Sequence, residues 1–353
     1  MVDYQGMSKM ISVRAASRLH FGLLNPGTGA VATGLAPEET NSRRFGGVGL
    51  MIERPGLRLG VRAASSWSAD GPLAERALAF ARRFAQSIRL EEGDRDLPPR
   101  HLHIEHAAPE HAGLGTGTQL GLSVASALAR SWGLSCDLFT LVRRVGRGLR
   151  SALGAHGFAQ GGLLVESGKL TSDRLAPVVC RHDFPEAWRL LLILPAAEES
   201  VGLHGAREVE AFARLGADAV RIDALCRLVL LGLLPALVER DVDAFGEAVY
   251  EFNARVGEVF ASVQGGVYAS PRVAERVAFL RGLGVRCVGQ SSWGPTVFAV
   301  VADEDRARHL SDRMREQFAL TDAAVLVASA CNHGATLEET RGENALPLNG
   351  KNH

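Results

Sequence analysis

The stretch that decides the reading is PEHAGLGTGTQLGLSVASALA, residues 109–129. Gly113, Gly115 and Gly117 alternate with Leu114, Thr116 and Thr118, and a run of small residues and leucines follows at helical spacing. Closely spaced glycines let a backbone turn tightly and approach a ligand. A helix beginning near residue 116 leaves its first N–H groups without intrahelical partners and turns the positive end of its dipole onto the loop. The spacing therefore predicts a helix over about 116–131 with an anion site at its start, suited to phosphate or diphosphate. By composition alone, an ordinary tight turn before a helix fits as well. The loop is neither of the two common phosphate loops. GxxxxGK[ST] is absent, and the glycine spacing and lack of a following acidic residue depart from the dinucleotide fingerprint.

The rest of the chain sets the scale. Its 353 residues are 46% hydrophobic, enough for a substantial core and for two fused halves. Lys plus Arg and Asp plus Glu are 39 each, so there is no net basic field to recruit nucleic acid and no basic amphipathic stretch for a membrane surface. Five cysteines, widely spaced and without a CxxC pair, speak against a disulfide framework or zinc ribbon and for a reduced, cytoplasmic setting. The first residues, MVDYQGMSKMISVRAA, have no apolar signal core. The run 228–238 is too short to span a bilayer and reads as a buried helix.

Working outward from the loop, residues 10–16 and 19–24 read as two early strands. Residues 25–49, rich in Gly, Pro, Thr and Asn, form a long loop of the kind that is usually functional. Residues 48–63 read as a hairpin turning at Pro55-Gly56. Leu73, Ala77, Phe80, Ala81, Phe84 and Ile88 mark an amphipathic helix, and HLHIEH (101–106) a strand. Residues 136–150 read as a helix capped by Ser135 or Asp137, and GFAQGGLLVE (157–166) as a strand. Beyond residue 185 come a buried strand (WRLLLILP), a helix with the stripe Phe245, Val249, Phe252, Val256 and Val259, and a helix starting at Ser270-Pro271. A strand, helix and strand series over 285–330 follows, with helices expected on one face of an antiparallel sheet. The polar tail after Cys331 lacks periodicity and is expected to fray. The fold class is α+β. Residues 1–184 form an N-terminal half with the glycine loop, 185–335 a C-terminal half, and 336–353 a flexible tail.

Two further features bear on chemistry. Arg18 and His20, one residue apart on a strand, point to one face and could form a cationic or proton-transferring pair. GQSSWGPT (289–296) is a second small-residue loop between strands; Ser291 and Ser292 could donate to anion oxygens, and Trp293 could wall a planar ligand.

These segments resemble the GHMP kinase superfamily. PEHAGLGTGTQ is similar to its second motif, AASRLHFGLLNP (15–26) to its first and GQSSWGPTVFAV (289–300) to its third. SRLHFGLLNP, RRFGGVGLMIERP, GLGTGTQLGLSVA, GRGLRSALGAHGFAQGGLLVE and QSSWGPTVFAV together resemble one branch, the β-ribofuranosylaminobenzene 5′-phosphate synthases, across residues 12–335. The resemblance implies a two-half fold with a ferredoxin-like C-terminal half and a cleft between the halves. It also implies a reaction: the anomeric carbon of 5-phosphoribosyl 1-diphosphate is transferred to 4-aminobenzoate, or a hydroxybenzoate in related forms. CO2 and diphosphate are released, with Mg2+ as cofactor, on the way to tetrahydromethanopterin. The alternative on the same fold is an ATP-dependent small-molecule kinase. Kinases of the superfamily commonly place an aspartate base in a stretch matching RSALGAHGFAQGG (150–162), which has no carboxylate here.

Carried onto this chain, the resemblance makes His20 and His156 the catalytic candidates. Gly113, Gly115, Thr116, Gly117, Thr118 and Gln119 would bind diphosphate. Arg18, Arg43, Arg44, Arg150, Gln160, Ser291, Ser292, Trp293 and Gly294 would bind the remainder of the substrates, with Arg147 and His204 as further candidates. Glu110 and Glu166 flank matched motifs and are the metal candidates. The partners implied are the two small-molecule substrates, with no nucleic acid and no membrane, and a homodimer is compatible with the fold.

Overall fold

A computed structural model describes residues 9–25, 43–93, 95–148, 150–171, 174–196, 219–292 and 294–341. Two sheets carry the chain. The first joins β1 (Lys9–Leu23), β2 (Gly47–Ala63), β3 (Ser68–Asp70), β4 (Arg100–Ala107), β5 (Leu163–Glu166), β6 (Val178–His182) and, from the far end of the chain, β11 (Thr336–Arg341). The second is antiparallel, in the order β10 (Val325–Ala328), β7 (Arg189–Ile193), β9 (Val297–Val301), β8 (Cys287–Gln290). Its first two strands and its last two are each separated in the chain by helix, which is the ferredoxin-like arrangement.

The helices of the first half are α1 (Ala74–Glu92), α2 (Thr116–Ser131), α3 (Leu138–Val145) and α4 (Leu153–Gln160). In the second half, α5 (Ala219–Leu228) runs through a π-helical turn (Val229–Leu233) into α6 (Leu234–Glu239). They are followed by α7 (Val242–Gln264), α8 (Pro271–Gly282) and α9 (Glu304–Phe318). Several starts are written in the sequence as side-chain caps, each contributing about 1 kcal/mol. Asp137 accepts from Thr140 N at α3, Ser270 from Val273 N at α8 and Asp303 from Arg306 N at α9.

Packing explains the layers. Ile11, Val13, Leu57, Leu59, Leu102 and Ile104 of the first sheet meet Ala77, Ala81, Phe84 and Ile88 of α1 and the apolar face of α2. Beyond an irregularity at Ala15/Ser17 the same two long strands change partner. Leu19, Phe21, Leu23, Val48, Leu50 and Ile52 meet Phe245, Val249, Phe252 and Val256 of α7 and Leu190, Leu192 and Phe298 of the second sheet. Each such leucine or phenylalanine contributes about 1.5–3 kcal/mol on full burial. The two halves thus share one core across β1, and residues 18 and 20, on its other face, are left for the cleft above.

Several expectations are corrected. Residues 9–23 form one strand, and residues 47–63 form another that runs through Pro55-Gly56 without a hairpin reversal. The extra residues around Pro55 bulge out opposite Ala15/Ser17, and Gly56 N donates to Ser17 Oγ at 3.2 Å. Residues 153–160 are helical rather than the start of a strand, so His156 lies on α4. Helices cover both faces of the second sheet. Leu191, Ile193, Val297 and Ala299 turn to α8 and α9 while their neighbours turn to α7. All those positions are apolar because neither face meets water. Residues 336–341, expected in the frayed tail, pair with β1 as an edge strand, with Glu339 ion-paired to Lys9. Within 228–238, Leu230, Leu231 and Val238 are exposed. No helix among the described residues is long and apolar enough to cross a membrane. Trp293, His204, residues 26–42 of the long loop and residues 342–353 of the tail lie outside the described residues.

Candidate active site

The glycine loop, the end of β1 and the second small-residue loop are stitched together by backbone. Arg18 N donates to Leu114 O at 2.9 Å, and Ser292 N donates to His20 O at 2.9 Å. Ser291 Oγ accepts from His20 N at 3.0 Å and donates to Gly113 O at 2.8 Å. The two loops touch so closely that a Cβ on Gly113, whose φ is +81°, would lie 2.1 Å from Ser291 O. A Cβ on Gly294 would lie 2.1 Å from Gly113 N. These two glycines therefore hold loop against loop. Gly294→Ala is expected to cost about 2 kcal/mol, because the clash is with backbone and cannot be relieved by a rotamer; urea unfolding midpoints of variant and wild type check it.

Above this junction opens a solvent-facing cleft. Gly115, in the left-handed region, is the N-cap of α2 and supplies no side-chain cap; Thr118 N donates back to Gly115 O at 3.0 Å, and the amides of Thr116 and Gly117 open the helix. Thr118 and Gly115 line the cleft, faced by Arg18, Arg147, Arg150 and His20. Arg147 Nε donates to Thr118 Oγ1 at 3.3 Å, which holds the guanidinium over the start of α2. No carboxylate is among the described lining residues. Three guanidinium groups beside a helix N-terminus could hold an anion, since their fork geometry is one that phosphate oxygens match.

The rim opposite α2 is the turn after α3. Gly146 and Gly148 both have φ near +66°, and the turn leads to Ser151 and α4. Two buried side chains prop it from below. Lys169 Nζ donates to Gly148 O at 2.8 Å, and Glu166 Oε2 accepts from Ala152 N at 2.7 Å. Burial pushes the Glu166 carboxyl up to about 7, against the opposing pull of Ser151, Ala152 N, Arg18 and Lys169. Burial also lowers the Lys169 ammonium, although Glu166 pulls it the other way. His20 is held well below its ordinary value, first by burial and then by the Arg18 charge, so its ring is neutral at pH 7.

Of the sequence candidates, Arg18, His20, Gly115, Thr118, Arg147, Arg150 and Ser292 line the cleft together. Others stand elsewhere. Thr116 Oγ1 donates to Pro109 O, and Gln119 Nε2 to Gly154 O, so both bind their own chain. Gly117 lies beneath the Arg76 and Arg147 guanidiniums. Ser291 is fully buried in the stitch described above. Arg43 Nη1 donates to Gly168 O, and Arg44 pairs through its backbone with Lys169. His156 Nε2 lies 2.8 Å from Ala176 O, and Gln160 is exposed at the end of α4. Glu110 is ion-paired with Arg76. Neither Glu110 nor Glu166 lines the cleft, and no group of three His, Cys, Asp or Glu side chains suited to a metal converges among the described residues. Among the described residues, the two carboxylates named for magnesium are not placed to hold it over the cleft. Sequence reasoning missed Gly146, Gly148, Ser151 and Lys169; the Gly-Arg-Gly turn was the available signal for the first two.

Comparison with known proteins places this geometry. Residues 75–161 match the family model described as GHMP kinases N terminal domain, and residues 233–320 match GHMP kinases C terminal. A β-ribofuranosylphenol 5′-phosphate synthase of Methanothermobacter thermautotrophicus is 30% identical over 285 residues, covering 74% of this chain and 83% of that protein. The chain belongs to this synthase family. It is an enzyme of GHMP kinase fold. The Archaeoglobus fulgidus relative of the same name is 28% identical over 349 residues, 93% of this chain and all of the relative. Among solved structures, mevalonate diphosphate decarboxylase from Staphylococcus aureus superposes with a TM-score of 0.61 at 12% identity, covering 95% of this synthase-family chain and 99% of its own. Homoserine kinase from Cytophaga hutchinsonii superposes with a TM-score of 0.56 at 15% identity, covering 96% and 100%. At those identities the two structures speak to the fold alone.

Proposed function

We propose that this enzyme transfers the 5-phosphoribosyl group of 5-phosphoribosyl 1-diphosphate to the carboxylate-bearing ring carbon of a 4-amino- or 4-hydroxybenzoate, releasing CO2 and diphosphate. The observation that carries the reading is the cleft itself: three arginines at an uncapped helix N-terminus, with no carboxylate among the described lining residues. A kinase acting on a hydroxyl gains from a carboxylate base. A ribosyl transfer needs instead to hold a departing diphosphate and a 5-phosphate, and to keep water from the anomeric carbon. The sequence-stretch resemblance points to the amino acceptor. The printed name of the relatives, a ribofuranosylphenol phosphate synthase, supports the hydroxy one. Both para groups donate electron density to the attacked carbon.

In this reading the first-turn amides of α2, with Thr118 and Arg147, hold the diphosphate. Arg18 and Arg150 hold the 5-phosphate, and neutral His20 borders the reacting carbons. Magnesium, which the resemblance implies, would be carried by the diphosphate oxygens, since the carboxylates named for it stand away from the cleft. A cytoplasmic place in tetrahydromethanopterin synthesis belongs to the same proposal.

The test is release of labelled CO2 from carboxyl-labelled 4-aminobenzoate and 4-hydroxybenzoate with phosphoribosyl diphosphate. One CO2 per diphosphate from at least one acceptor is expected. No CO2 from either, together with ADP formation from ATP and an alcohol, would establish the kinase instead.

A further inference from the structure

A second pocket, partly open to solvent, lies on the other side of His20, between the end of β1 and α7. Its walls are apolar: Leu23, Val256, Phe260 and Val267. The polar side chains around it are committed to protein backbone. Asn253 bonds Phe21 O, Gln290 O and Gln290 N; Gln264 bonds Gly257 O and Val267 O; Gln290 bonds Ala269 N and Ser292 O. No charged side chain is among its described lining residues. His20, Leu23 and Ser292 line both this cavity and the arginine cleft, so the two share a wall. In that wall His20 is only 3% exposed, and its Nδ1 has no hydrogen-bond partner among the described residues. Ser292 beside it holds φ at +57°, a conformation that non-glycine residues adopt at a cost and that is common at ligand sites.

We propose that this cavity seats the aromatic acceptor, a flat 4-substituted benzoate, with its carboxylate-bearing carbon turned towards His20 and Ser292. The inference rests on the ribosyl-transfer reading and names where its second substrate binds. The division of labour follows from the linings. The triply cationic cleft suits the phosphates, and the uncharged cavity suits a ring with one polar edge. Placing the carboxylate beside a neutral imidazole rather than in a bidentate guanidinium pair also favours its loss, because a paired carboxylate would have to surrender that pairing to leave as CO2. The atoms balance. The ring carbon forms a C–C bond to the anomeric carbon as the C–O bond to diphosphate breaks. The C–CO2 bond then breaks, its electron pair restores the aromatic ring, and no net proton is transferred.

Two variants fill the cavity, Val256→Phe on α7 and Val267→Phe on the loop after it, each checked for folding by its melting curve. The expected result is at least a tenfold rise in KM for the benzoate, with phosphoribosyl diphosphate affinity in an equilibrium titration within twofold of wild type. Independently of any substitution, 4-azidobenzoate photolysed on the wild-type enzyme is expected to label the peptide spanning residues 256–267. An unchanged benzoate KM in a folded variant, or label confined to other peptides, overturns the seat while leaving ribosyl transfer intact. Absence of CO2 release by wild type overturns the ribosyl-transfer reading and the seat with it.

Discussion

Replacing Arg147 by alanine is expected to lower kcat/KM for phosphoribosyl diphosphate by about 10²–10³, the range for removing one preorganised donor from a developing anion. Arg147 stands at the start of α2 with its Nε on Thr118, so its guanidinium and the helix amides face the same oxygens. Charge develops on the diphosphate as the anomeric C–O bond stretches, and a contact that strengthens along that path acts on kcat more than on KM. Arg147→Lys keeps the charge but loses the planar fork, and is expected to recover part of the loss. Melting temperature should move little, since Arg147 is only half-buried at the cleft. Steady-state kinetics over both substrates checks this. An equal kcat/KM in wild type and Arg147→Ala would remove the diphosphate from this end of the cleft.

The parts of the fold legible in the sequence are those whose local pattern and tertiary role agree. α1 and α7 have one apolar face and one partner layer, so a 3.6-residue repeat survives in their sequences, whereas α2, buried all round over 119–129, is marked instead by the glycine loop that precedes it. α4 is largely buried, with Leu153, Gly154, Ala155, Gly157 and Phe158 inside, so it carries no such repeat, and its second half, 157–160, reads in sequence as the start of the strand 157–166. Pro55-Gly56 is a turn signal in isolation. Here the pairing of β1 with β2 on both sides of it makes it a bulge, and that pairing is not local information. β11 is polar because it is an edge strand, and only its register with β1, over three hundred residues away, makes it a strand at all.

The same distinction runs through the site. Arg18, His20, Thr118, Arg150 and Ser292 lie on motifs whose spacing places them, and they meet in the cleft. Gly113 and Gly294 were conspicuous for a different reason from the one their composition suggests: each makes room for the other loop. Thr116 and Gln119 carry the right groups for a ligand, yet neighbouring carbonyls claim them. Lys169 and Ser151 gave no signal, because their roles come from a turn and a strand brought together only by folding.

Glu166→Gln is expected to remove a pH-dependent loss of stability worth about 3 kcal/mol between pH 5 and pH 8. The carboxyl is fully buried, and burial raises it from 4.5 to about 7. The native state therefore binds more proton than the unfolded chain between those values. Stability from this group falls as pH rises through that window, and the whole penalty is present above about 7. Its partners reduce the penalty without abolishing it, because Ala152 N occupies one oxygen while Oε1 has no hydrogen-bond partner among the described residues. Glutamine keeps an acceptor for Ala152 N and has no charge to desolvate. His20 acts in the opposite sense: its depressed value means that stability is lost as pH falls below its unfolded value of 6.5. The wild-type profile mixes the two, and the difference between variant and wild type isolates Glu166. Urea unfolding at closely spaced pH values should show the pair converging near pH 5 and the variant ahead by pH 8. Parallel profiles would mean that Glu166 stays ionised throughout, held by Arg18 and Lys169, and that the turn beneath the cleft rests on an ion pair rather than on a protonated acid.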